Sequence, residues 1–341
     1  MVNSMFMTPS AKTTIHDIAK RAGVSISTVS RVLNDNKSVR EGSRQAVLDA
    51  VRELNYHPNI FASGLAGGQS KTIGIITQYI SSPFFDMILR GILDEMTGGN
   101  YHPLFADGQW QEDKERRSLE TFIDRRVDGL VILGGVLPED ELIAISQRLP
   151  LIVIGRDIKA IQDRCIPLDN YGGAYAATQH LIQQGYRNII HLTGILRHED
   201  AQQRLAGYRQ AMADANLSND DKLIIEGDFS EQSGVMVAER LLSNGPTFTA
   251  IFAANDQMAM GLRLTLYRRG IRVPEDVSLI GFDNQPASAF LTPPLTTVGQ
   301  PALAIGKSAA KRILAKIQDQ EEEIEHFKAK LMIRDSVTRI H

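Results

Sequence analysis

The chain reads as an α/β protein: a small all-α head followed by two lobes, each a parallel sheet with helices on both faces. Three observations predict this. Residues 14–34 hold two short amphipathic segments joined at a glycine. From Thr72 onward, strand-length β-branched runs alternate with longer helical segments, in two successive series. The charge is also divided. Ala11 to Lys71 carries nine Lys/Arg against five Asp/Glu, or +4, and the rest of the 341 residues carries 28 against 35, or −7. A basic head on an acidic body suits a polyanionic partner for the head alone.

Within the head, Ile15, Ile18 and Ala19 share one face of the first helix, Gly23 supplies the turn, and Val29, Val32 and Leu33 line the second helix. The opposite face of that second helix carries Ser27, Thr28, Ser30 and Arg31. These are short hydroxyls and a guanidinium that can meet phosphates and base edges in a DNA groove. A helix-turn-helix explains the pattern economically; an ordinary helical hairpin is the alternative. A third helix, about Glu41 to Asn55, offers Val47, Val51 and Leu54 to close a three-helix core. Pro58 ends it. Ala66-Gly67-Gly68-Gln69-Ser70 then has the composition of a flexible linker.

In the body, TIGIIT, PLFADG, GLVILG and LIVIG form the first strand series, and NIIHLTG, LIIEGD, TAIFAAN and VSLIGFD the second. Two such lobes hold a ligand in the crevice beyond their strand ends, where Asp283 falls. The tail from Lys311 holds a helix, an acidic solvated stretch (Glu321 to Glu323) and a last strand within HFKAKLMIRDSV. No leucine heptads follow. One cysteine, Cys165, rules out an internal disulfide and suits the cytosol; it reads as a small residue near a buried strand. No apolar run reaches the roughly 18 residues needed to span a bilayer, and the first twelve residues read as a disordered lead-in rather than a secretory signal. Nucleotide-binding, nucleophile-elbow and zinc-helix motifs are lacking, so neither catalysis, cofactor nor metal is expected. His191 and His198 have no metal-ligand partner at a suitable spacing.

The stretches TIHDIAKRAGVSISTVSRVLN, VRELNYHPN, RRVDGLVI, QQRLAGYRQAM, AANDQMAMG, RVPEDVSLIGFDN and PPLTTVGQP, in that order, resemble the LacI/GalR family of bacterial repressors over essentially the whole chain. The resemblance implies a helix-turn-helix domain over 13–58, a hinge helix and linker over 59–71, and a periplasmic-binding-protein-like core over 72–341. Its first subdomain would span about 72–168 and 298–329, and its second about 169–297 and 330–341. By resemblance Ile26, Ser27 and Arg31 sit where the family reads bases, Asn34 lies near the phosphates, and Thr14, Thr28 and Ser30 complete the head's DNA-facing set. Asn59 to Ala66 resembles a hinge helix that orders on DNA, bringing Asn59 and Ala62 to the duplex with Leu65 as the minor-groove wedge. It departs from the family at Ser63, where arginine is frequent.

The same resemblance places Phe84 and Phe85 of the first lobe, and His198, Asp200, Arg204, Phe229, Asn255 and Asp283 of the second, in an effector cleft, with Gln300 near a crossover. Such carboxylates, a forked guanidinium and ring faces suit a sugar. The four-residue spacing of Asp200 and Arg204 alone would equally suit a surface ion pair. The implied protein is a cytoplasmic homodimeric repressor on a near-palindromic operator, released by a small carbohydrate. A purine-type corepressor, a phosphoprotein partner, or a sugar-binding role without regulation are the alternatives.

Overall fold

The computed structural model describes residues 13–33, 38–56, 69–97, 101–218 and 220–340. It contains two compact units: a head within the residues up to Lys71 and a core that begins at Thr72.

In the head, α1 (Ile15–Ala22), α2 (Ile26–Leu33) and α3 (Glu41–Glu53) enclose Ile18, Ala19, Val29, Val32, Val47 and Ala50. Thr14 caps α1. The Asp17 carboxylate reaches back to accept from the Thr14 backbone N–H and hydroxyl, both at 2.8 Å, which holds its carboxyl below the usual range. Gly23 follows at φ 66°, a backbone that side chains resist, and turns the chain toward α2. Ser25 then caps α2 by accepting from the Thr28 N–H at 3.2 Å. Arg21 meets Glu53 across the surface at 2.5 Å, an exposed pair of little weight beside the apolar core.

The core holds two sheets. The first contains β1 (Thr72–Thr77), β2 (His102–Asp107), β3 (Gly129–Leu133), β4 (Leu151–Ile154) and the two-residue β5 (Cys165–Ile166). All are parallel, in the order β2-β1-β3-β4-β5. The helices α4 (Pro83–Met96), α5 (Glu112–Asp124) and α6 (Glu139–Ser146) connect them. The chain then passes through α7 (Asn170–Gln183) to the second sheet, made of β6 (Ile189–Thr193), β7 (Ile224–Glu226), β8 (Ala250–Ala253), β9 (Ser278–Asp283), β10 (Thr296–Gly299) and β11 (Lys330–Met332). Its order is β11-β10-β9-β8-β6-β7, parallel except for β11 at the edge. Here α8 (Glu199–Asp214), α9 (Glu231–Asn244) and α10 (Asp256–Arg268) are the connecting helices. Central strands such as β3 and β8 are buried throughout, as a parallel sheet covered on both faces requires.

After β10 the chain crosses back at Gln300 and Pro301. It enters α11 (Ala302–Ile317), whose Ile305, Ala309 and Ile313 pack into the first lobe's core. That helix starts well before Lys311. The second sheet also extends past the expected change at 298, because Val298 and Gly299 still pair with Phe282 and Asp283 of β9. Neither β5 nor the antiparallel direction of β11 was legible in the strand pattern: one is two residues long, and direction leaves no periodicity.

Helices α4 and α11 approach closely because both present glycine. A Cβ at Gly306 would lie 2.0 Å from the Ile88 carbonyl oxygen, and one at Gly91 2.2 Å from that of Leu303. At the carboxyl end of the second sheet, Asp256 is fully enclosed. It accepts from the Thr297 hydroxyl at 2.5 Å and the Gln285 N–H at 2.7 Å. Burial pushes its carboxyl up to about 8, and the nearby Asp283 adds to the effect.

Gly306→Ala should destabilise the core by about 1–3 kcal/mol, since backbone rather than a yielding side chain blocks the methyl. A thermal melt checks this; an unchanged midpoint would mean that the two helices can separate freely. Asp256 retains its proton to higher pH in the folded than in the unfolded chain, so its contribution to stability falls as pH rises from about 4 to 8. The melting temperature of Asp256→Asn should therefore gain on that of wild type across this window. A constant difference between the two would show that Asp256 stays ionised.

Candidate functional site

The head presents its polar face as the hydrophobic pattern requires. Ile26, Ser27 and Arg31 of α2 and Thr14 ahead of α1 are exposed, while Thr28 and Ser30 are half-buried. The Ser25 hydroxyl lies 2.8 Å from both the Ser27 and the Thr28 hydroxyls, which fixes the start of α2. The expected contacts at Asn34, Asn59, Ala62 and Leu65, and the hinge helix itself, lie outside the described residues.

In the core, two adjoining cavities of about 270 and 400 Å³ lie between the lobes. They share Phe84, Phe85, Trp110, His198, Asp200 and Arg204 as wall. The larger adds Phe229, Asn255 and Asp283; the smaller adds Arg156, Arg197 and the glycines that follow β3 and β4. These groups gather at the carboxyl ends of both sheets, where parallel strands leave a crevice. Phe84 and Phe85 occupy the first turn of α4, Asp200 and Arg204 the first turns of α8, and Asp283 the last position of β9. Gln300, at the crossing after β10, lines neither cavity. Its side-chain nitrogen is buried without a partner among the described residues.

Arg204 is the most constrained of these groups. It is buried, with Nε donating to Asn170 Oδ1 at 3.0 Å, one terminal nitrogen donating to the Ala254 carbonyl, and the other 3.5 Å from Asp283 Oδ1. Its guanidinium lies 4.0 Å from the centroid of the Phe282 ring. Its ion-pair partner is therefore Asp283, at the end of β9. Asp200, one turn earlier on α8, accepts from the Ala201 N–H at 2.7 Å. Asp283 sits at φ 98°. Burial pushes its carboxyl up to about 6, against the pull of Arg204. Asn255 caps α10 by accepting from the Met258 N–H at 2.9 Å, and its amide donates to the Phe229 carbonyl at 2.8 Å. Phe229 itself stands at φ 70°.

Two features lay outside the sequence expectations. Trp110, in the turn between β2 and α5, stacks on His198 with ring centroids 4.0 Å apart and planes 16° apart. On the far side of His198 the Phe229 ring lies 6.5 Å away and within 8° of parallel. His198 is 1% exposed, and burial holds its imidazole below the usual range. The other feature is Asn170 with the Ala254 carbonyl, the neutral groups that hold Arg204. A lone tryptophan just past a strand end was a usable signal, by the same crevice rule that singles out Asp283. The Asn170 contact spans 34 residues and left none.

The combination of a helix-turn-helix head and a two-lobed α/β core recurs among known proteins. Residues 14–59 match the model of bacterial regulatory proteins of the lacI family, and residues 178–337 match a periplasmic binding protein-like domain. The transcriptional regulator GalR of Salmonella typhimurium is 37% identical over 303 residues, 89% of either chain. The transcriptional repressor PurR of Vibrio campbellii is 33% identical over 332 residues, 96% of this chain and 99% of its own. Among solved structures, the lac repressor dimer bound to operator and the anti-inducer ONPF superposes with a TM-score of 0.84 at 29% identity, covering 96% of this chain and 100% of that one. The regulator CelR in complex with cellobiose gives 0.70 at 30% identity, covering 95% and 99%. By its sequence along nearly its whole length, and by its fold, the chain belongs to the LacI family of bacterial regulatory proteins.

Proposed function

We propose that this regulator is a homodimeric repressor that binds a near-palindromic operator through its heads and is released by a small carbohydrate bound between its lobes. The observation that carries the effector reading is the cleft's division of labour. Ring faces from both lobes meet a buried Arg204–Asp283 pair and the half-buried Asp200. A pyranose has an apolar face for the rings, and vicinal hydroxyls that can donate to a carboxylate and accept from a guanidinium. The CelR relative holds cellobiose in its structure, which supports the same class of ligand here.

The dimer reading draws support from the second lobe's surface. Tyr267 and Phe290 are 79% and 86% exposed, with Leu264 one turn before Tyr267 on α10. The Arg263 guanidinium donates to the Pro293 carbonyl at 3.3 Å, which brings the Phe290 loop beside that helix. Apolar groups of this size gathered at a surface favour burial against another chain. Carbohydrate binding would favour one arrangement of the lobes and alter the spacing of the paired heads. A coupling of about 1–3 kcal/mol corresponds to roughly a 5- to 150-fold change in operator affinity. No group of this mechanism is asked to perform chemistry on the ligand.

Arg31→Ala should weaken binding to an operator selected from randomised duplexes by about 1–3 kcal/mol while sparing nonspecific binding more; equal affinity would remove Arg31 from base reading. For the cleft, the melting temperature measured against neutral mono- and disaccharides, their phosphates and purines names the ligand class. A ligand at about 100 times its dissociation constant adds roughly 2.7 kcal/mol. Asp283→Ala should abolish the shift by a saccharide and leave operator binding intact. A purine-only response would make the ligand a corepressor. Normal release by saccharide in the Asp283 variant would discredit that residue's role.

A further inference from the structure

We propose that Trp110 is the stacking platform for the effector and that His198 is its gate: the imidazole lies stacked on the indole face, and a saccharide ring displaces it. The proposal rests on the carbohydrate reading above and assigns roles to the two rings that join the lobes. Trp110 belongs to the first lobe and His198 to the second, so their 4.0 Å stack spans the cleft. Both residues line both cavities and belong to the wall the two share.

The indole is held deliberately. Gln109 and Trp110 stand at φ 53° and 52°, a left-handed backbone that non-glycine residues adopt at a cost, and the Trp110 backbone N–H donates to Gln78 Oε1 at 2.8 Å. A turn whose backbone is held in this way places the Trp110 ring against the second lobe's His198. The imidazole opposite is placed differently. Both of its ring nitrogens are buried and have no hydrogen-bond partner among the described residues. Stacking therefore gains ring contact while leaving polar atoms unsatisfied, an arrangement that costs free energy wherever it occurs.

His198 lies on a short turn ahead of α8, its backbone N–H donating to the Ile195 carbonyl at 2.9 Å. Rotation about its side-chain bonds frees the ring without moving the helix. Displacement exchanges one flat apolar face for another on the indole and releases both nitrogens to meet hydroxyls or water. Asp200 and Arg204, in the same wall, face the polar edge of the incoming ring. Phe229, nearly parallel to the imidazole at 6.5 Å, closes the other side.

Trp110 is the sole tryptophan of the chain, so its emission reports on the gate directly. In the full-length protein without ligand, His198→Ala should make Trp110 markedly more accessible to acrylamide quenching; equal quenching would refute the stack. A saccharide that raises the melting temperature, cellobiose being one probe, should then change Trp110 emission. It should bind His198→Ala at least as tightly as wild type, and Trp110→Leu about tenfold more weakly or worse. His198→Phe, which keeps the stack but gains nothing on release, should bind it more weakly while leaving Trp110 shielded. Unchanged emission, or a loss in His198→Ala equal to that in Trp110→Leu, overturns the gate and makes His198 an ordinary ligand contact. If no saccharide stabilises either wild type or His198→Ala, the carbohydrate reading itself fails and displacement falls with it. The quenching comparison still reports separately on the stack. Melting and operator binding of each variant exclude misfolding as the cause.

Discussion

A guanidinium buried between a helix and the carboxyl end of a sheet sets the terms for the second lobe. Taking Arg204 out of water costs several kcal/mol unless its donors are met, and three separate segments meet them: Asn170 at the start of α7, the Ala254 carbonyl after β8, and Asp283 at the end of β9. Those segments are thereby drawn to one point, and the Phe282 ring beneath the guanidinium fixes its plane. The position of Asp283 follows from this: a carboxylate this buried is tolerated beside a cation and would shift further upward without it. The ligand-facing geometry of the lobe is thus a consequence of satisfying one charge.

The crossings between the lobes are tied in a similar way. The Asp169 carboxylate accepts from the Gly172 N–H at 3.0 Å and from the Ala329 N–H at 3.2 Å, so one side chain joins the first crossing to the third. Arg312 of α11 donates to the carbonyls of Cys165 and Asp163 at 3.1 and 2.6 Å, fastening the returning helix to the last strand of the first sheet. These contacts hold the backbone between lobes while leaving the cleft walls themselves joined chiefly by ring contact.

Much of this was legible beforehand because it is periodic or local. The alternation of β-branched runs with amphipathic stretches marks both sheets, and the faces of α1 and α2 follow from Ile18, Val29 and Val32. Asp283 could be assigned to the crevice from its place after VSLIGF. What remained hidden depends on distant pairing. Nothing in the spacing of Asp200 and Arg204 reveals that Arg204 pairs with Asp283 instead, because the deciding geometry joins a helix to a strand 79 positions later. His198 is similar: it stacks on a ring 88 residues earlier, in the opposite lobe. Gln300 shows the reverse limit, where a matched position does not bring a side chain into the cavity wall.

The asymmetry of the cleft bears on how binding could become regulation. In the larger cavity the second lobe holds the buried charged pair, Arg204 and Asp283, whereas the first contributes the ring faces of Phe84, Phe85 and Trp110; the first lobe's Arg156 lines the smaller cavity. Polar recognition can therefore be complete on one lobe before the other moves. In the lobe closure proposed above, bringing the rings down on a saccharide would add apolar contact without rearranging the buried pair. Burying about 100 Å² of such surface is worth about 2.5 kcal/mol. That is the size of a typical coupling energy between two sites, about 1–3 kcal/mol. On the proposed carbohydrate reading, ring contact of that size matches the coupling that lobe closure calls for, and the charged pair is left to orient the ligand against which the lobes would close.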